Sequence, residues 1–396
     1  MKNVYLDSND FSALSEPSDR LTAVDQAVLE KLKKARASGD AKFFISPIHI
    51  SEAVHASDSH KDEAVRRAAL MRDLADRNIL RFPTDICRME LTRAFAGEDR
   101  VPCSLEEISS GPNEWFGIPF KNNLDDRRKE IDNEIETALK KLNRKDRRRR
   151  RSELDPEKKS SHPLLRALLK DGLRNSAPGP FPATLADPEL TLNWYLGEVT
   201  DEAFRSNTMK LLSDPYLLFK HFIDALGHRN QLYNIIRDQG SKWRTIIESG
   251  MSQLAPAFAL AKKGNHPVDL RKMIGQITNE SFWRAVIGAL AEADLTQVGL
   301  SDIVRAKEKS PSTSVFMHAV LESVRVRLQS TQARAAAGNL VPASVKLSDY
   351  GDFMHAIYAP YFDVFRCDSA FGDVLKSHPN IRTKIVTERR GLLTAL

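Results

Sequence analysis

The residues of this 396-residue chain best placed to do chemistry are carboxylates. Asp7 ends the apolar run in KNVYLDSND, Glu52 sits in PIHISEAVHA, Asp352 in SDYGDFMHA and Asp368 in VFRCDSAF. Four acids brought to one place repel one another, and a bound cation relieves that repulsion. Oxygen donors without a cysteine pair favour Mg²⁺ or Mn²⁺ over zinc. The chemistry such a centre offers is activation of a bound water.

The surrounding pattern supplies elements that could gather these acids. Residues 2–7 read as a strand, and 21–38 as a helix with Leu21, Val24, Val28, Leu29 and Leu32 at helical spacing. Residues 41–46 read as a second strand. Ser46 then reads as a helix N-cap, with Pro47 in the first turn and Glu52 further along. A helix over 62–77, a third strand over 78–83 and a helix stopping at Gly97 follow. The pattern resumes near the C-terminus with a helix over 349–359, a strand ending at Asp368, a short helix and a last strand over 381–387. The expected class is α/β: an open, mostly parallel sheet flanked by helices, formed by residues 1–100 and 346–396 together. In such a sheet, strand C-termini and the following helix N-termini share one edge, where the four acids are expected to meet.

Residues 101–345 read as a mostly α-helical insertion that interrupts this domain. The net charge of +6 lies entirely there, because the two flanking pieces balance. Within it, Arg147, Arg148, Arg149, Arg150 and Arg151 offer phosphate contacts, with a solvated loop as the plainer reading. Trp194, Trp243 and Trp283 sit at helical spacing with leucines and read as core. Cys87, Cys103 and Cys367 form no CxxC pair and read as reduced thiols. His49, Glu52 and His55, three apart, do not form the HExxH arrangement, so zinc is not expected there. No apolar run spans a bilayer and the N-terminus does not read as a leader, so the expectation is a cytoplasmic protein with no membrane partner.

The pieces YLDSNDF, ISPIHISEAVHA, LSDYGDFMHAIYA, VFRCDSAFGDVL and IRTKIVT together resemble the PIN-domain family of metal-dependent ribonucleases, over about two fifths of the chain. The resemblance implies a PIN-like sheet and an endoribonuclease using Mg²⁺ or Mn²⁺. Asp7, Glu52 and Asp352 would be metal ligands, Asp368 a ligand or water-orienting acid, and Asp373 a further contributor. His355, in the His-Ala pair after Asp352, falls beside the site and is a candidate substrate contact. RNA is the implied partner, with DNA as an alternative. The resemblance leaves room for an inhibitory or targeting protein, for a homodimer, and for a catalytically silent RNA-binding or interaction module. The large insertion departs from the family pattern.

Overall fold

A computed structural model describes the chain except residues 54–59, 99–100, 110–113, 116–117, 120–122, 142, 155–157, 176–187, 213, 215, 218–228, 265–267, 278–279 and 347. His55 and most of the proline-rich segment 175–189 lie outside the described residues. The strands are β1 (Lys2–Tyr5), β2 (Ala41–Phe44), β3 (Glu114–Trp115), β4 (Ile118–Pro119), β5 (Val364–Arg366) and β6 (Lys384–Val386). The first helices are α1 (Ser8–Leu14), α2 (Ala23–Ala37), α3 (Pro47–Ala53), α4 (Lys61–Ala75) and α5 (Pro83–Phe95). Next come α6 (Asn123–Lys140), α7 (Arg144–Glu153), α8 (His162–Asn175), α9 (Pro188–Tyr195) and α10 (Asp201–Leu212). Then follow α11 (Arg229–Lys263), α12 (Leu270–Ile277), α13 (Glu280–Ala291), α14 (Leu300–Lys309) and α15 (Pro311–Ala336). The chain closes with α16 (Asp349–Ala356), α17 (Ser369–Lys376) and α18 (Leu392–Ala395).

The sheet has the order β2-β1-β5-β6, and every pairing is parallel. β1 is interior, pairing Val4 with Phe43 on one side and with Val364 on the other. Val4, Tyr5 and Leu6 are buried, as expected for a strand covered on both faces. The expected class holds: a parallel sheet flanked by helices and interrupted by a large, mostly α-helical insertion.

One expected strand is missing. Residues 78–83 do not join the sheet: Leu80 bridges Ser109 antiparallel, and Pro83 begins α5 at once. A proline cannot donate to a ladder and suits a helix start, so the run is too short to pair further. A second difference lies at the arginine run, which is helical rather than a loop. Asn143 caps it, accepting the Asp146 N–H at 2.9 Å, and arginine is a strong helix former.

The chain divides into two compact units. The first unites residues 1–52, 81–108 and 234–396, so the later helices of the insertion belong with the sheet. Leu91 of α5 packs there with Ile287, Leu295 and Ile303, and Trp283 lies against that cluster. Trp243 packs against the cluster around Met251, Phe258 and Leu328 and meets the Phe353 ring edge-on. The second unit holds residues 53–80 and 109–233, with the β3–β4 hairpin and a core in which Trp194 stacks on Phe204 at 4.7 Å. All three tryptophans pack against neighbouring side chains. Cys87, Cys103 and Cys367 are free and buried. Among the described residues no helix is long and apolar enough to cross a membrane.

One buried acid fastens the first unit. Glu90 on α5 is fully buried, accepting the Ser312 N–H in the first turn of α15 at 2.9 Å and the Tyr361 hydroxyl. Burial pushes its pKa up to about 7, against the pull of those hydrogen bonds. An acid raised in the folded state imposes a cost absent below its ordinary value of 4.5 and complete above about 7. Glu90→Ala strands both donors and is expected to cost about 2–4 kcal/mol. The deficit should be larger at pH 5 than at pH 7.5, because only the wild type loses stability from this group as pH rises. Urea unfolding at the two pH values checks both the size and the sign.

Candidate functional site

The chain leaves β1 for β2 on one side, while β5 continues to β6 on the other. The strand order therefore reverses between β1 and β5, the position beyond whose C-terminal ends open parallel sheets place their ligands. Asp7 follows β1 and Asp368 follows β5. Glu52 comes from α3, which follows β2, and Asp352 from the first turn of α16. α16 precedes β5 in the chain. The charges of Asp7, Glu52 and Asp368 all act on Asp352.

Each acid also has a local task. Asp7 caps α1, accepting the Asn9 N–H at 3.1 Å, while Asp10 accepts the Asp7 N–H at 3.1 Å to complete a capping box. Asp368 caps α17 by accepting the Phe371 N–H at 2.7 Å and is exposed. Glu52 receives a hydrogen bond from His355 Nε2 at 3.1 Å, and His355 Nδ1 lies 2.7 Å from the Tyr5 hydroxyl. That hydroxyl is also 2.8 Å from Ser46 Oγ, so a buried polar chain runs from β1 to Glu52.

His49 closes this layer without being a ligand. Its Nε2 donates to the Leu6 carbonyl at 2.8 Å and its Nδ1 accepts the Ser46 N–H at 3.0 Å. Both nitrogens are used by one neutral tautomer, and burial, aided by the neighbouring His355, lowers its pKa to about 3.

The electrostatics separate the acids. Burial pushes Asp352 up to about 8; His355 opposes the rise, and Glu52, Asp368 and Asp7 reinforce it. Burial likewise raises Asp7, against His355. Burial would raise Glu52 too, but the charge and hydrogen bond of His355 hold it below its ordinary value. His355 is raised in return, because Glu52 outweighs the burial that disfavours its charged form.

Gly351 makes room for this pair. A Cβ there would overlap Glu52 Oε1. Since the obstacle is the end of a flexible side chain, Gly351→Ala is expected to swing Glu52 aside at a stability cost of about 1–3 kcal/mol. His355 then loses its acid partner, and its pKa, followed by NMR, should fall. An unchanged His355 titration would show that Glu52 keeps its place.

The sequence reading passed over Arg366. Its Nη2 lies 3.3 Å from Asp10 Oδ1 and its Nη1 4.0 Å from Asp7 Oδ2, and it donates to the Cys367 carbonyl. Arg389 Nε stands 3.8 Å from the same Asp10 oxygen. Asp10 is fully buried, and burial pushes its pKa up to about 7 against the pull of Arg366. The signal was present in VFRCD: an arginine inside a buried strand requires an acid. Asp349 pairs with Arg327 and accepts the Lys346 N–H at 3.1 Å, and Ser348 holds the N-cap position of α16.

Asp373 stays apart, exposed and 3.9 Å from Lys376 one turn on. Arg147, Arg148, Arg149 and Arg151 belong to the second unit, as does the backbone of Arg150. Among the described residues no group of three His, Cys, Asp or Glu side chains is arranged to hold a metal ion. No family model, curated protein or solved structure matches this chain.

Proposed function

We propose that this protein is a metal-dependent endoribonuclease of PIN-like type, acting at the carboxylate edge of its sheet. The observation that carries the reading is the position of Asp7, Glu52, Asp352 and Asp368 around the strand-order reversal, where Asp352 is pushed up to about 8 by burial and by the other three. The oxygen-only donor set suits Mg²⁺ or Mn²⁺. Asp7, Glu52 and Asp352 would hold the ion, with Asp368 as a ligand or an acceptor orienting water. When bound, such an ion stabilises charge on the scissile phosphate and lowers the pKa of a water.

The protein's own residues do the positioning. Tyr5 and His355 fix the Glu52 carboxylate, and Arg366 offsets part of the charge at Asp7. Hydrolysis would leave 5′-phosphate and 3′-hydroxyl ends. The likeness to PIN domains rests on the motif order and the parallel sheet; the strand expected at 78–83 is not part of that support.

A second reading has its own observation. In the arrangement seen, Glu52 is bonded to His355, Asp7 caps α1 near Arg366, and among the described residues no three acids surround an ion site. That favours a catalytically silent module whose acids are balanced internally and whose work is RNA or protein binding.

Incubating labelled single-stranded RNA and DNA of one sequence with Mn²⁺, Mg²⁺ or EDTA separates these readings. Metal-dependent RNA cleavage is the expected result. Cleavage confined to DNA would reassign the substrate. No cleavage by folded protein that still binds RNA would favour the silent module.

A further inference from the structure

α7 carries the sequence RKDRRRRRSE, with seven basic and two acidic side chains. Arg144, Arg147, Arg148 and Arg151 line one open concavity of about 440 Å³ in the second unit. The four are not equivalent. Arg147 donates from Nε to the Leu139 carbonyl at 3.1 Å and from Nη2 to the Lys140 carbonyl at 2.9 Å. It thereby satisfies carbonyls at the end of α6 that the helix leaves unpaired. Arg151 grips Glu136 through Nε at 3.0 Å and through Nη2. These two arginines fasten α7 to α6.

Arg144 and Arg148, one turn apart, have no such task. Both are exposed, and among the described residues neither has an acidic partner. Arg149 instead lies 3.6 Å from Asp146 and 3.8 Å from Glu153, so the helix's own acids are engaged elsewhere. Like charges at this spacing destabilise a helix, and an external anion would relieve them. Guanidinium groups match phosphate oxygens with paired donors. Among the described residues the concavity's lining is four arginines, with no aromatic or aliphatic residue of the kind that anchors a protein interface.

We propose that Arg144 and Arg148 form a docking site for the phosphate backbone of RNA, while Arg147 and Arg151 hold the helix that presents them. Among the arginines, this moves the binding role to a pair that includes Arg144 and leaves Arg147 and Arg151 structural. The site does not depend on the carboxylates being catalytic, and measurement in EDTA keeps the two claims apart.

The test is fluorescence anisotropy of a labelled single-stranded RNA with the full chain in EDTA, across a salt series. R144A/R148A should weaken binding about tenfold and reduce the slope of log affinity against log salt by ~1.4, two phosphate contacts' worth on a single strand. K33A/K34A, which removes two exposed charges from α2, should change affinity by less than about twofold. Circular dichroism should show both variants folded. Equal losses in the two variants would overturn the site. Competition by polyglutamate as effective as by unlabelled RNA would overturn the RNA assignment in favour of an acidic protein.

Discussion

Asp352→Asn is expected to make the metal-free protein more stable while reducing metal-dependent RNA cleavage by on the order of a hundredfold or more. The two effects share one cause. In the folded protein the Asp352 carboxyl titrates near 8 instead of 3.8, pushed up first by burial and then by Glu52, Asp368 and Asp7. The folded state therefore holds a proton that the unfolded chain releases, and the cost of this group is absent below pH 3.8 and complete above about 8. Asparagine keeps the shape and removes the charge, so its stabilising effect should grow across that window. Melting curves in EDTA at pH 5 and pH 8.5 check the sign: the gain in Tm should be greater at the higher pH. A lower Tm for Asp352→Asn at pH 8.5 would show that the charge is not crowded by its neighbours.

Arg366→Ala is the substitution expected to damage the fold most, by about 3–5 kcal/mol. It removes the nearer of two cations from Asp10, leaving Arg389 at 3.8 Å beside a carboxylate with no exposure to water. With Arg366 present, burial already pushes the Asp10 pKa up to about 7; without it the value rises further. Wild type loses the Asp10 contribution as pH rises from 3.8 to about 7, and the variant continues to lose it beyond, so its deficit should widen with pH. Asp10→Asn keeps an oxygen for the Asp7 N–H but removes the charge. In that background Arg366→Ala should cost much less, and a double-mutant cycle by urea unfolding measures the coupling. Additive effects would mean that Arg366 contributes through packing alone.

Much of the first unit was legible in the sequence because its signals are local. The run NVYL places a buried strand and Pro47 starts a helix. The positions of the four acids follow from those elements, since a parallel sheet sends its strand ends to one edge. What escaped was non-local. NILRFP has strand-like composition, but only tertiary contact decides that Leu80 meets Ser109 and not the sheet. The composition change near residue 101 suggested a boundary, yet α13 and α14 pack on α5 of the sheet-bearing unit. Arg366 and Asp10 lie far apart in the chain, and their pairing needed the fold to be visible. For the arginine run a phosphate-binding patch and a solvated loop both stood open, and its Asn143 cap is the local signal of the helix.

The most direct test of a metal centre is a Mn²⁺ titration of the wild-type protein at pH 7.5, followed by electron paramagnetic resonance, beside Asp7→Asn and Asp352→Asn. Saturable binding to the wild type, lost or strongly weakened in both folded variants, is the result expected if these acids gather around a cation. Absence of saturable binding to the wild type, or binding unchanged in both variants, would contradict a metal centre at this edge and leave the acids as balanced parts of a binding module.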